Sequence, residues 1–205
     1  MDKFILEIPN VFSPQLCKNI INKFENDTQN QVKGTLEDKG GDGYLNEDWK
    51  SSTELNVSTS PGWETANTKI NYYIQKAVGT YVEHIKGIMK DAAIDKDGDM
   101  DFVLDHSFFP LRIGGHYSIQ RIKKGKHYRW HQDYIPGENR VFTCFVYLNT
   151  LEPDEGGTTD FINGRSIRPE AGKMTIFPTT WPFIHTGRLI KADAKYILVT
   201  NIYRG

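Results

Sequence analysis

The spacing of apolar residues changes near the middle of the chain. In the first half they recur every three or four positions: Leu16, Ile20 and Phe24 follow a Ser13-Pro14 start, and Ala66, Ile70, Tyr73, Ile74, Ala77, Tyr81 and Ile85 form a second stripe. The first pattern predicts a helix with a serine cap and proline at its first position, preceded by a short strand. The second predicts a long helix from about Trp63 to Met89, its aromatic stripe facing a core. Between them, from about Gln29 to Ser60, the chain is polar and rich in glycine (Gly34, Gly40, Gly41, Gly43), with isolated Tyr44 and Trp49. Long loops of the kind that carry substrate contacts are expected there, with one strand through Glu54-Leu55-Asn56-Val57.

After residue 100 apolar and polar positions alternate in short runs: 116–122, 127–133, 141–148, 158–161, 173–177 and 195–203. Turn-formers such as Ile135-Pro-Gly-Glu-Asn139 and Glu152-Pro-Asp-Glu-Gly-Gly157 separate them. Six strands with no helix between them imply an antiparallel sandwich or jelly roll. In Val141-Phe-Thr-Cys-Phe-Val-Tyr-Leu148 both faces are apolar, so something covers each, and the N-terminal helices are the obvious cover on one side. The expected fold is therefore α+β in a single domain over 1–205: residues 1–100 give helical support and loops, residues 101–205 the jelly-roll core.

Composition narrows the function. Apolar residues at 38% and charged residues at 25% suit a folded globular protein, and a net charge of −1 offers nothing for a phosphate backbone to bind. The one basic stretch, Arg121 to Lys126, reads as a solvated hairpin turn. No segment approaches the ~20 apolar residues of a membrane span, so neither membrane nor nucleic acid is an expected partner and the cytoplasm is the expected location. Cys17 and Cys144 are too few for a disulfide framework and read as reduced thiols. Asp95-Lys-Asp97-Gly-Asp99-Met-Asp101 alternates carboxylates like a calcium loop, but Met100 stands where the loop needs glycine and His106 where it needs glutamate; an acidic surface loop is expected.

Histidine carries the chemistry. In Trp130-His131-Gln132-Asp133 the imidazole and carboxylate are two positions apart, and on a strand such positions share a face. His185 follows 54 residues later, where a strand is expected to give way to a loop that returns to the sheet. Two imidazoles and one carboxylate on an octahedral ion leave open positions, as in non-haem iron(II) oxygenases. By itself His-x-Asp is more often structural than metal-binding.

Its neighbours add to it. Tyr128-Arg-Trp-His131-Gln-Asp133, Tyr147-Leu-Asn149, Gly156-Gly157, Gly172-Lys-Met-Thr-Ile-Phe177, His185 and Lys195, in this order and spacing, make residues 116–203 resemble the prolyl 4-hydroxylase-like branch of the 2-oxoglutarate/iron(II) dioxygenases. The resemblance implies a double-stranded β-helix. It implies iron(II) held by His131, Asp133 and His185, and 2-oxoglutarate held through its distal carboxylate by Lys195 and the Tyr147 hydroxyl. Dioxygen is then the oxidant and ascorbate a candidate reductant. A cation for the cosubstrate is needed on physical grounds, because an unpaired buried carboxylate costs several kcal/mol. Lys191 and Arg188 lie nearby but lack the family spacing, and Tyr147 has the plainer reading of a ring packed in the core. One departure is Ile122, where many prolyl hydroxylases carry a tyrosine that contacts the cosubstrate. An aspartate as middle ligand favours hydroxylation over halogenation. The implied reaction is hydroxylation of a peptidyl prolyl or similar side chain, with succinate and carbon dioxide as co-products. The same chemistry on a free amino acid or other small molecule, and a non-catalytic metal-binding jelly roll, remain open, as does the oligomeric state.

Overall fold

The computed structural model describes residues 2–37, 43–91, 110–114 and 116–205. The acidic run 95–101 lies outside them. A short strand β1 (Leu6–Ile8) leads to α1 (Pro14–Asn26), opened by the Ser13 hydroxyl, which accepts from the Leu16 amide, with Pro14 in the first turn. After β2 (Val32–Lys33), β3 (Leu36–Glu37), β4 (Gly43–Tyr44) and β5 (Thr53–Asn56) comes the long helix α2 (Glu64–Asp91). The rest is β: β6 (Leu111–Ile113), β7 (Ser118–Lys123), β8 (Tyr128–His131), β9 (Arg140–Tyr147), β10 (Thr159–Phe161), β11 (Ser166–Ile167), β12 (Met174–Pro178), β13 (His185–Gly187) and β14 (Ala194–Arg204).

All pairings among the described residues are antiparallel. The larger sheet runs β1-β12-β9-β14-β7-β5-β2, with β6 on the far end of β14, and the smaller runs β11-β10-β13-β8. In the larger sheet Tyr147, Ile197, Gln120 and Glu54 are successive partners across β9, β14, β7 and β5, and Phe145, Val199, Ser118 and Asn56 form the next row. These rows face the smaller sheet. The alternate residues Cys144, Val146, Leu198 and Ile202 share one buried cluster with Phe24 of α1 and Ile74 and Tyr81 of α2. Residues of both helices thus share a buried cluster with the face of the larger sheet turned away from the smaller one.

Three expectations need correction. The basic stretch 121–126 is not a hairpin turn: β7 belongs to the larger sheet and β8 to the smaller, so the turn at Gly125 carries the chain between sheets, and Arg121 is tied to Glu25 at 2.6 Å. The loop expected after the 173–177 strand does lead back to a strand, but that strand is β13, opened by His185 and absent from the expected runs. The 29–60 region holds four short strands rather than one, β3 and β4 forming their own pair beside the larger sheet.

Candidate metal centre

His131 closes β8 and His185 opens β13, and the two are direct partners across that antiparallel pair. Asp133 lies two residues beyond the end of β8, where the Tyr134 amide donates to the Thr179 carbonyl at 3.0 Å and holds the turn in place. Sheet pairing thus joins positions 54 apart in sequence, and one imidazole nitrogen from each histidine and one Asp133 oxygen lie within 4.8 Å of one another.

Proton positions follow from the backbone. His131 Nδ1 lies 2.7 Å from the Arg129 carbonyl and His185 Nδ1 3.1 Å from the Phe183 carbonyl. A carbonyl only accepts, so each Nδ1 carries a hydrogen, and it is Nε2 that holds the lone pair when the ring is neutral. Those lone pairs face Asp133: His131 Nε2 is 3.4 Å from Oδ1 and His185 Nε2 is 3.8 Å from Oδ2. Burial pushes the His185 pKa down to about 4, with the His131 charge acting in the same direction, so His185 is neutral at physiological pH. Burial alone would raise the Asp133 pKa, but the two histidines outweigh it and hold the carboxyl below the ordinary range. Asp133 Oδ2 is buried with no hydrogen-bond partner among the described residues. An ionised oxygen facing a neutral imidazole lone pair is an unfavourable arrangement that a bound cation resolves. The donor set fits a divalent metal on these grounds.

Aromatic rings fix both imidazoles. Tyr128 stacks on His131 with centroids 3.7 Å apart and planes at 15°, while Phe161 and Phe177 stand 5.4 and 4.9 Å from His185. Such outer contacts set ligand orientation.

The triad opens into a cavity of about 540 Å³ between the sheets, within the usual range for small-molecule sites. Lys195 lines it, only 4% exposed, its ammonium donating to the Gly157 carbonyl at 2.7 Å. No carboxylate reaches ion-pair distance of it among the described residues, and burial lowers its pKa to about 7. Arg188, by contrast, is bound to Asp160, and Lys191 is exposed. Tyr147 is wholly buried and its hydroxyl donates to Thr159 Oγ1 at 2.9 Å; Thr159, not Tyr147, lines the cavity. Sequence reasoning missed Thr159, although its alternation with Phe161 on β10 turns both inward. Ile122, the partner of Lys195 across β7 and β14, adds an apolar wall. Away from Lys195 the lining becomes polar. Asn201, on β14, accepts from the Thr143 hydroxyl at 2.9 Å, leaving its amide N–H groups unmatched among the described residues, and Gln120 and Ser118 lie on neighbouring β7.

Residues 117–203 match the model of the family described as the 2OG-Fe(II) oxygenase superfamily. No curated protein matches the chain in sequence. Among solved structures it is similar to the viral collagen prolyl hydroxylase of Paramecium Bursaria Chlorella virus-1 in its 2OG complex, with TM-score 0.66 and 18% identity over 98% of this chain and 96% of that one. A prolyl-4-hydroxylase from Pseudomonas putida gives TM-score 0.64 and 14% identity, covering 98% and 93%. A prolyl hydroxylase from Trichoplax adhaerens, in complex with a hypoxia inducible factor oxygen degradation domain peptide fragment, gives 0.69 and 13%, covering 98% and 84%. At these identities the likeness is one of fold.

Proposed function

We propose, from the match of residues 117–203 to the 2OG-Fe(II) oxygenase superfamily and from the His-Asp-His cluster, that the chain is a 2-oxoglutarate-dependent hydroxylase of a peptidyl prolyl or similar side chain, with iron(II) held by His131, Asp133 and His185. The observation that carries the ligand assignment is the bare Asp133 Oδ2 facing the His185 lone pair. Iron(II) bound there would supply the activation of dioxygen, with one oxygen atom ending in the hydroxyl of the product and the other in succinate as 2-oxoglutarate loses carbon dioxide.

The chain's own residues bind, orient and exclude water. Lys195 receives the distal carboxylate, regaining the partner its burial denies it, and Thr159, backed by the Tyr147 hydroxyl, gives that carboxylate a second polar contact. Ile122 and Ile197 keep water from this end. Trp49 and Tyr134 line the cavity and remain exposed, so a chain longer than the cavity has aromatic surface to lie on. This favours a peptide. The polar lining at Asn201, Gln120 and Ser118 favours the second reading, a free amino acid or other small molecule bound through hydrogen bonds.

The test is turnover of the purified protein with iron(II), ascorbate and 2-oxoglutarate. Succinate should form, His131→Ala or Asp133→Ala should abolish it, and Lys195→Ala should mainly raise the 2-oxoglutarate concentration required. A gain of one oxygen mass on a prolyl peptide, but not on free amino acids, would select the first reading. Metal-loaded protein inert toward 2-oxoglutarate would overturn both.

A further inference from the structure

Lys50 precedes β5, and its side chain is only 11% exposed. Its ammonium donates to Glu54 Oε1 at 2.7 Å and to the Thr35 carbonyl at 3.3 Å, and stands 5.4 Å from the centroid of the Tyr128 ring. Tyr128 is the ring stacked on His131. The backbone reinforces the contact: Lys50 forms an antiparallel bridge with Tyr128, and the Arg129 amide donates to the Trp49 carbonyl at 3.0 Å, so residues 49–50 extend the smaller sheet at its β8 edge. One cation thus touches the residue leading into β3, the acid on β5 and the ring that packs a candidate ligand.

A solvent-exposed ion pair in such a place would contribute little. This one is shielded, with Glu54 at 16%, and its carboxylate neutralises an ammonium that would otherwise repel a nearby divalent cation. Stacking limits rotation of the His131 ring about its Cβ–Cγ bond, and a cation over tyrosine limits the movement of the stacking ring in turn. We propose that Lys50 is a positioning residue for the metal centre, acting through Tyr128 on His131 and coupling the placement of the β3–β4 pair to ligand geometry. The inference rests on His131 being a metal ligand.

The experiment uses the full chain and Co(II), reading affinity by calorimetry, the ligand field by the visible d–d bands, and the melting temperature without metal. Lys50→Met should weaken Co(II) binding about tenfold and shift the bands, as loss of an outer-shell partner does. Lys50→Arg should restore most of both, and Glu54→Gln, which leaves the ammonium uncompensated, should weaken binding in the same direction. Tyr128→Leu should cost at least as much as Lys50→Met, and the double variant no more than Tyr128→Leu alone, because both act along one chain of contacts. Unchanged affinity and bands in Lys50→Met, or additive losses in the double variant, would overturn the proposal. If Lys50→Met does not fold, wild-type affinity in Glu54→Gln overturns it equally. Failure of the wild type to bind Co(II) sinks the metal assignment instead, so the two failures are distinguishable.

Discussion

Lys195 sits where water barely reaches it, and this gives it two testable properties. Its pKa of about 7 means that in the ligand-free protein the ammonium is half deprotonated at neutral pH, whereas 2-oxoglutarate needs it charged. The apparent Kd for 2-oxoglutarate should therefore weaken about fivefold from pH 7 to pH 8, with uptake of close to one proton per ligand at the higher pH. Calorimetry of the Co(II)-loaded protein in buffers of different ionisation enthalpy measures both, and Lys195→Arg, always charged, should bind without this dependence. A flat wild-type profile would rule out the lowered pKa. Stability carries the opposite face of the same burial. Below pH 7 the folded and unfolded chains both hold the proton, so the whole cost of burying the charge is present. Between pH 7 and the ordinary 10.5 the unfolded chain holds more protons, so that cost fades as pH rises. Lys195→Met should therefore stabilise the ligand-free protein, on the order of a few kcal/mol at pH 6 and less at pH 9, by urea unfolding. At this scale the sequence is most informative where residue type limits the chemistry. Histidine, aspartate and a spaced lysine have few uses together, and the structure gathers all of them round one cavity. Thr159 was hidden because threonine in a strand is ordinary, and only the hydroxyl of Tyr147 pointing at it gives it meaning.

Elements bring these residues together through pairings that local periodicity does not encode. Long runs such as 141–148 and 195–203 are legible because eight or more strand-forming positions in a row outweigh noise. β13 is not: His185-Thr186-Gly187 is too short to show a period, and it is a strand because β10 and β8 flank it with open hydrogen-bonding edges. The same limit hid β2, β3, β4, β6 and β11, each of two or three residues. Turns, by contrast, announce themselves through glycine. Gly157 has φ of 72°, a left-handed value that side chains resist, and a Cβ there would stand 2.6 Å from Leu151 Cδ1 and 2.9 Å from Ile190 Cδ1. Its carbonyl is the one that holds Lys195. Gly157→Ala should cost about 1–3 kcal/mol in stability and also raise the 2-oxoglutarate requirement several-fold. Co(II) affinity without 2-oxoglutarate should stay at the wild-type value, because the triad hangs from β8 and β13 and not from this turn. Equal losses in metal and cosubstrate binding would show that the turn supports the whole site.

The helices never touch the cavity, yet they share the outer face of the sheet that forms its floor. Phe24, Ile74 and Tyr81 interlock with Cys144, Val146 and Leu198, and the Tyr81 hydroxyl donates to the Phe4 carbonyl at 2.9 Å, tying α2 to the segment leading into β1. This common core is the reason to propose that residues 1–205 unfold as one unit, although sequence composition alone marks two halves of different character. Support and site are then coupled through stability but separable by ligand. Binding to the folded state alone adds about 2.7 kcal/mol at a hundredfold excess over Kd, which for a chain of this size raises the melting temperature by about 5–10 °C. Co(II) with 2-oxoglutarate should produce that rise in the wild type as a single calorimetric transition. Asp133→Ala should melt without the rise, having lost a ligand. Ile74→Ala, which empties a fully buried position on α2, should lower the starting temperature by the equivalent of about 2–5 kcal/mol and keep the ligand-induced increment. Two transitions, or an increment lost in Ile74→Ala, would mean that the helical cover and the metal centre are linked otherwise than through a single shared core.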